Sequence, residues 1–392
     1  MQNVFDRIMT QEVLRRLQSN PAVALLGPRQ CGKSTLARMI LEDFPDALML
    51  DLERPADRMM LEEAESFFDA NADRLICLDE VQRMPELFPL LRYVIDKRAR
   101  NSRFLLLGSA SRDLIESASE SLAGRIHYTE LTPFLWEEAV PAKCSFQDFW
   151  VRGGFPRSLL AETSVGSLEW RQEFVRSFLE RDLLLLKARL LPERARRLWT
   201  MTAHCHGRLL NKSQLASALD VDVHTVGNYL DVLEAAFMIR RLPAFHANLK
   251  KRQVKSPKIY VRDSGMLHVL LGIQDYNALL GHPMRGFSWE GLVVDQILGR
   301  LHPLAQASFY RTAKGDEADL VVEYAGKRQV AEIKASSTPK VEAGFWKTLD
   351  DLQPDSAMVI APVDLSFVLK DNVEVLSLDA VVAKGKAAGW LR

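Results

Sequence analysis

Hydrophobic and polar positions divide the first third of the chain into short apolar runs separated by segments of helical periodicity. The apolar runs have the length of buried strands and occur at residues 22–26, 47–52, 74–80, 103–108 and 126–131. The segments with apolar residues three or four positions apart lie before and between them, at residues 1–20, 33–44, 56–70 and 87–98. Strands and helices that alternate in this way indicate an α/β domain with a doubly wound parallel sheet, which we place at residues 1–140.

The middle of the chain is predominantly helical in its pattern. Residues 141–205 are interpreted as a helical lid or connector. Helices are then predicted at 211–219 and 224–239, separated by a short turn, and a basic hairpin is predicted at 240–258. Helix, turn, helix and hairpin are the elements of a winged helix-turn-helix, which we assign to residues 206–265.

The last third returns to mixed periodicity. A helix is predicted at 285–301, followed by strands at 306–311, 317–323, 329–333, 357–361 and 374–378. Residues 266–392 are therefore predicted to form a further α/β domain.

Composition places few limits on function. The chain has 392 residues, 47% hydrophobic and 26% charged, with a formal net charge of zero, so any nucleic-acid binding has to come from local patches. The four cysteines form no C-x-x-C motif, and a reducing cytoplasm is the simplest setting. No apolar run reaches the roughly 18 residues that a membrane span needs, so no membrane span is expected.

One loop directly after the first predicted strand carries the pattern G-x-x-x-x-G-K-[ST]. Glycines let the backbone amides turn toward a phosphate, and the following helix N-terminus adds positive charge. Lys33 is expected to reach the β- and γ-phosphates, and Ser34 to bind Mg²⁺. The predicted ATP-binding residues are Gly27, Pro28, Arg29, Gln30, Cys31, Gly32, Lys33, Ser34 and Thr35.

Two later strands end in polar residues suited to nucleotide hydrolysis. Asp79 and Glu80 follow an apolar run and resemble a Walker B motif, in which Asp79 binds Mg²⁺ and Glu80 positions the attacking water. Ser109 ends the next strand and is a candidate sensor of the γ-phosphate; an ordinary helix cap is the alternative.

Arg125 lies between a predicted helix and a strand. An arginine there could act as a finger on a neighbouring subunit's nucleotide, or form a surface salt bridge. Arg112 and Arg157 are the other candidates for this role.

Basic residues cluster in the predicted hairpin and suit phosphates more than bases. The candidate DNA-binding residues are Lys250, Lys251, Arg252, Lys255 and Lys258. The helix before them offers His224, Thr225 and Asn228 but no arginine or lysine, which weakens direct base reading. Packing against other domains is the alternative role of this segment.

The final domain contains the pattern D-x₁₂-E-x-K across two predicted strands. Asp319, Glu332 and Lys334 form it, and Glu290 lies on the preceding helix. Restriction-endonuclease-like folds use such an arrangement to bind a divalent ion that activates water. Alternating charges that face solvent, or a DNA-binding or assembly module without cleavage, are the alternatives.

The ordered motifs GPRQCGKSTL, LICLDEVQ, LLLGSAS and LAGRIHYTELTPFLWEE resemble those of the archaeal-type AAA+ ATPases of bacteria and archaea. Gly153–Pro156, residues 257–265 and Glu290 extend the resemblance over nearly the whole chain. It implies an AAA+ P-loop domain, a winged helix and a restriction-endonuclease-like domain.

From these features we expect an oligomeric, ATP- and Mg²⁺-dependent ATPase that acts on branched or junction DNA. An ATP-gated, metal-dependent DNA nuclease is one alternative. A signalling or scaffold ATPase without a DNA role is the other.

Overall fold

The computed structural model describes residues 5–98, 100–109, 122, 124–142, 144–183, 191–245 and 253–392. The chain packs into two compact units. The first comprises Met1–Ser145, Gly154–Leu160 and Asp231–Met238. The second comprises Phe146–Gly153, Ala161–Leu230 and Ile239–Arg392. The finer division at residues 140, 205 and 265 stays a prediction.

The first unit is built on a five-stranded parallel sheet. In chain order its strands are β1 (Ala22–Leu26), β2 (Leu48–Asp51), β3 (Ile76–Asp79), β4 (Phe104–Gly108) and β5 (Ile126–Glu130). They lie in the order β2-β3-β4-β1-β5. The five predicted strands and the doubly wound α/β fold are confirmed. This order leaves the carboxyl ends of β1, β3 and β4 side by side.

Both faces of this sheet are covered by apolar residues. Ala22, Ala24 and Leu26 of β1 belong to one core cluster, whereas Val23 and Leu25 belong to another. A strand that is buried on both faces needs apolar residues at consecutive positions. This explains why β1 is an uninterrupted apolar run.

Three of the four helices predicted for the first unit lie within their predicted bounds. The described α-helices are Met9–Ser19, Lys33–Leu41, Pro55–Met59, Ala64–Ala70, Leu87–Lys97, Trp136–Ala139 and Pro156–Leu159. The single helix predicted at 56–70 is wrong. A turn separates two helices there, and Glu63 has left the helical region, with φ −107° and ψ 58°.

The second unit begins with helices that precede a small antiparallel sheet. Its strands are β6 (Arg208–Leu209), β7 (Ile239–Leu242) and β8 (Lys258–Val261), with β8 in the centre. The described α-helices of this region are Phe146–Arg152, Ser164–Ser177, Pro192–His204, Lys212–Leu219 and Val223–Ala235, the last of which belongs to this unit up to Leu230. A π-helical segment, Phe178–Asp182, continues the second of them.

A six-stranded mixed sheet lies in the last third of the chain, where the sequence pattern predicted further α/β structure. Its strands are β9 (Gln306–Arg311), β10 (Glu317–Tyr324), β11 (Lys327–Ile333), β12 (Ser356–Ile360), β13 (Phe367–Val368) and β14 (Glu374–Leu376), in the order β13-β14-β12-β11-β10-β9. The α-helices are Ser264–Leu271, Tyr276–Leu280, Arg285–Leu298, Ala343–Leu352 and Leu378–Ala387. No helix in the described ranges combines the length and apolarity needed to cross a membrane.

Candidate functional site

The loop after β1 is closely fitted to its surroundings. The amide of Gly27 donates to Gly108 O at 3.2 Å, and a Cβ at Gly27 would lie 2.1 Å from Leu131 O. Gly32, immediately before the helix Lys33–Leu41, has a φ of 103°. The first glycine is required by close backbone approach and the second by its left-handed backbone. The loop therefore has the backbone features expected of a phosphate-binding loop.

The ammonium of Lys33 is buried inside this loop. Its Nζ donates to Gly27 O at 3.0 Å and to Pro28 O at 2.9 Å. Both carbonyls belong to the loop that would surround a phosphate. The oxygens of a bound phosphate carry negative charge, so they would be stronger partners for the Lys33 ammonium than these neutral carbonyls.

Ser34 and Asp79 meet at the carboxyl edge of the sheet. Asp79 ends β3 and accepts a hydrogen bond from the Ser34 side chain. Burial raises the pKa of Asp79, whereas the Ser34 hydrogen bond lowers it. A hydroxyl and a carboxylate beside a phosphate loop are oxygen ligands of the kind that Mg²⁺ binds together with substrate phosphates. The two side chains therefore fit the ion that the sequence predicted.

Glu80 is held by two polar neighbours. The Ser109 hydroxyl donates to Glu80 Oε2 at 3.0 Å, and Gln82 Nε2 donates both to Ser109 Oγ, at 2.9 Å, and to the same Glu80 oxygen. Glu80 has a φ of 57°, in the left-handed region. The structure thus brings together Glu80 and Ser109, and it adds Gln82, which the motif analysis missed although it lies within LICLDEVQ.

The other residues of the predicted ATP-binding loop differ in exposure. Cys31 is buried, its Sγ is 3.5 Å from Leu131 O, and burial raises the pKa of its thiol. Pro28 is also buried, whereas Gln30 and Thr35 are exposed. Arg29 Nη2 lies 3.8 Å from Glu53 Oε1. Cys31 therefore packs the loop against the segment after β5.

Arg7 is a further residue of this site that sequence reasoning missed. Its guanidinium is buried and donates to Cys31 O at 2.9 Å and to Thr132 O at 2.6 Å. Its Nε lies 3.1 Å from Glu138 Oε1. Arg7 thus fixes the phosphate loop to the segment after β5.

Arg125 lies directly before β5 and pairs with a carboxylate of the same chain. Its Nε and Nη2 donate to Asp96 Oδ1 and Oδ2 at 2.5 and 2.9 Å. The pair is partly exposed, with side-chain exposures of 30% and 46%. Arg157 is exposed on the helix Pro156–Leu159. Arg112 lies outside the described residues.

In the second unit, the candidate carboxylates surround a lysine. Lys258 Nζ lies 2.8 Å from Glu290 Oε1, 2.7 Å from Glu317 Oε1 and 2.9 Å from Asp319 Oδ1. Tyr260 Oη also donates to Glu290 Oε1, at 2.6 Å. We refer to these five residues as the Lys258 cluster. Within it, burial and the nearby Asp319 carboxylate together raise the pKa of Glu290 to about 7.

Glu332 and Lys334, the E-x-K residues, form a pair beside the cluster. Lys334 Nζ lies 2.7 Å from Glu332 Oε1, and the Ile333 amide donates to Asp319 Oδ2 at 2.9 Å. Burial and the Asp319 carboxylate raise the pKa of Glu332 to about 8. The structure therefore brings Glu290, Asp319, Glu332 and Lys334 into one region.

The predicted DNA-binding cluster is corrected at one position. Lys258 is only 2% exposed, because it belongs to the central strand β8 and its ammonium is paired with three carboxylates. It is not part of an exposed basic surface. Lys255 is exposed, and Lys250, Lys251 and Arg252 lie outside the described residues.

A divalent ion was expected among these carboxylates, and the side chains present do not fit it. The central position is taken by the Lys258 ammonium. Among the residues that the structure describes, no group of three or more His, Cys, Asp or Glu side chains is arranged to hold a metal ion.

Comparison with known proteins identifies relatives along the whole chain. The family described as "AAA domain" matches residues 19–140, and two domains of unknown function, DUF8612 and DUF4143, match residues 144–277 and 285–381. The uncharacterized proteins Mb2031c of Mycobacterium bovis and Rv2008c of Mycobacterium tuberculosis are each 41% identical over 371 residues, which is 95% of this chain and 83% of theirs.

Solved structures give weaker likenesses. The Walker-type ATPase PABY2304 of Pyrococcus abyssi is 15% identical with a TM-score of 0.49, over 69% of this chain and 96% of that one. A variant of RuvB from Thermotoga maritima is 19% identical with a TM-score of 0.31, over 61% of this chain and 90% of that one. At these TM-scores, neither structure indicates the function of this chain.

The matched AAA domain coincides with the five-stranded sheet and the phosphate loop, and the DUF4143 match coincides with the six-stranded sheet. Together with the ordered motifs, these matches settle the family. The chain belongs to the archaeal-type AAA+ ATPase family.

Proposed function

We propose that the protein binds ATP with Mg²⁺ at Gly27–Thr35 and hydrolyses it. The contact between Ser34 and Asp79 carries this proposal, because it joins the phosphate loop to the end of β3 where a nucleotide-bound Mg²⁺ would need both oxygens. The close backbone approach at Gly27, the left-handed backbone of Gly32 and the buried Lys33 ammonium support the same site.

Each residue has a separate task in this proposal. Lys33 would exchange its loop carbonyls for the β- and γ-phosphates, and bound Mg²⁺ would neutralise charge that develops on them. Glu80 would orient the attacking water and accept its proton. Ser109 and Gln82 would keep the Glu80 carboxylate in position through their hydrogen bonds.

The test of ATP hydrolysis compares Glu80→Gln with Glu86→Gln in the full chain. Glu80→Gln should keep ATP binding but lower the turnover number by about 100-fold or more, because an amide cannot accept the proton. Glu86 is exposed and six positions away, so its variant should behave as wild type. Equal turnover in all three proteins would contradict the proposal.

DNA is the partner that we propose for the second unit, bound by structure rather than by base sequence. The family resemblance supports it, as do the exposed Lys255 and the exposed His224 and Asn228 on the helix Val223–Ala235. In this proposal the segment of helices and small sheet acts as a winged helix, and it contacts phosphates.

The DNA proposal is tested by the salt dependence of binding to a fluorescent duplex or junction. Replacing Lys250, Lys251, Arg252 and Lys255 with glutamine should weaken binding and flatten its salt slope by about one unit per lost phosphate contact. The matched control replaces four exposed lysines of the six-stranded-sheet region, Lys314, Lys327, Lys340 and Lys347. Identical affinities for the two variants would favour a signalling or scaffold ATPase.

We also propose self-association into a ring or another oligomer, in which Arg125 completes the nucleotide site of a neighbour. In that state Arg125 would have to leave Asp96. The pair is partly exposed, so water can solvate both charged groups when they separate.

A further inference from the structure

The side chain of Lys258 is buried at the centre of three carboxylates. An ammonium has three N–H donors, and Lys258 Nζ has three acidic partners at 2.7–2.9 Å, Glu290, Glu317 and Asp319. The ring of Phe309 lies beside it, with 5.7 Å between Nζ and the ring centroid. The donor count of the cation therefore matches the number of carboxylates around it.

We propose that the Lys258 ammonium takes the place of the divalent cation in this cluster, so that the D-x₁₂-E-x-K residues do not form a metal-dependent nuclease centre. The cluster is instead a lysine-filled site that joins strand β8 to the helix Arg285–Leu298 and to strand β10. This inference concerns the second unit alone and does not depend on ATP hydrolysis in the first.

The hydrogen bonds of the carboxylates support the assignment. Asp319 uses Oδ1 for Lys258 and Oδ2 for the Ile333 amide. Glu290 Oε1 accepts from both Lys258 and Tyr260. A metal ion would have to displace the Lys258 ammonium from Glu290 Oε1 and Asp319 Oδ1 before it could bind these two oxygens.

The positive charge of Lys258 also opposes metal binding. A divalent cation placed among Glu290 and Asp319 would lie within a few ångströms of a buried ammonium, where like charges repel strongly because little water screens them. The cluster therefore excludes a metal ion as long as the lysine remains.

Removal of Lys258 should convert the cluster into a metal site. Lys258→Met keeps an unbranched side chain, one atom shorter, and leaves the carboxylates of Glu290, Glu317 and Asp319 facing a space that an ammonium had filled. Hard divalent cations prefer such a set of oxygens. The variant should gain a binding site that the wild-type protein lacks.

The experiment measures Mn²⁺ binding by equilibrium dialysis of the full chain without nucleotide. Wild type, Asp319→Asn and the matched control Lys327→Met, at an exposed lysine, should bind equally little Mn²⁺. Lys258→Met should bind one more ion per chain, its thermal unfolding midpoint should rise with Mn²⁺, and both effects should disappear in the Lys258→Met/Asp319→Asn double variant.

Two results would overturn the inference. One is Mn²⁺ binding by wild type that Asp319→Asn abolishes, which would show that a metal enters beside the lysine. The other is a folded Lys258→Met that gains no Mn²⁺. If Lys258→Met does not fold, the comparison of wild type with Asp319→Asn still decides, because it uses the native cluster.

Discussion

The hydroxyl of Ser109 donates a hydrogen bond to Glu80 Oε2 at 3.0 Å, although the residues are 29 positions apart in the chain. They meet because β3 and β4 are adjacent parallel strands whose carboxyl ends lie at one edge of the sheet. Gln82 donates to both side chains. The carboxylate that we assign to water activation is therefore oriented by two donors.

Ser109→Ala should lower the turnover number for ATP about 10- to 100-fold, because small losses of catalytic alignment have effects of this size. The KM for ATP should change little, since Ser109 acts through Glu80. Ser109→Thr should restore much of the rate. Ser19→Ala, on the exposed end of the first helix, is the control. A Ser109→Ala protein with wild-type turnover would show that Ser109 does not position Glu80 for hydrolysis.

Arg7→Ala should destabilise the first unit by about 3–5 kcal/mol, because it leaves the Glu138 carboxylate buried without its cation. It should also weaken ATP binding, since Arg7 holds the Cys31 carbonyl of the phosphate loop. Thermal unfolding and nucleotide titration measure the two effects.

Arg15→Ala is the control for Arg7. Arg15 is 58% exposed and pairs with Glu12 on the same helix, so its loss should change stability by about 0.5 kcal/mol or less. Equal stability and equal ATP affinity for Arg7→Ala and Arg15→Ala would show that Arg7 does not position the loop.

The phosphate-binding site was predictable because its signals are local. Gly27, Gly32 and Lys33 lie in one loop, and Asp79-Glu80 ends an apolar run. Arg7 was not predictable, since its partner Thr132 is 125 positions away. A lone arginine near the start of a helix carries no pattern of its own.

Lys258 shows the converse limit. The charge count along residues 250–258 placed it in a basic cluster, but a count of charges does not report burial. Its strand neighbours Ile259 and Val261 are apolar, and this is the one signal that pointed to a buried strand. Two of its partners, Glu290 and Asp319, are 32 and 61 positions away, so only the fold could reveal them.

Arg125→Ala should lower ATP hydrolysis by about 10³-fold if the arginine completes a neighbour's site. Asp96→Asn should keep hydrolysis, because it removes only a carboxylate that pairs with Arg125 within the same chain. Mixing Arg125→Ala with Lys33→Ala should recover activity, since each chain supplies what the other lacks. No recovery in a mixed oligomer, with both variants folded, would contradict action in trans.

The stability of the second unit should depend on pH through Glu332. Burial, together with the Asp319 carboxylate, raises the pKa of Glu332 from 4.5 to about 8, against the effect of Lys334. The folded state therefore binds this proton more tightly than the unfolded state. Its contribution to stability is full below pH 4.5 and is lost as pH rises toward about 8.

Glu332→Gln should remove this dependence. Relative to wild type, its thermal unfolding midpoint should increase as pH is raised from about 5 to about 8. Glu323→Gln, at a 39% exposed glutamate on β10, is the control and should run parallel to wild type. A Glu332→Gln curve that is also parallel to wild type would exclude Glu332 as the source.

Steady-state hydrolysis of ATP with Mg²⁺ tests the central claim most directly. The full chain is assayed with no DNA, linear duplex, single strand and a four-way junction, and the same DNAs are run on a gel. We predict hydrolysis that the junction stimulates most, with every DNA intact. Hydrolysis indifferent to all four conditions would contradict action on DNA, and absence of hydrolysis would contradict the proposed ATPase.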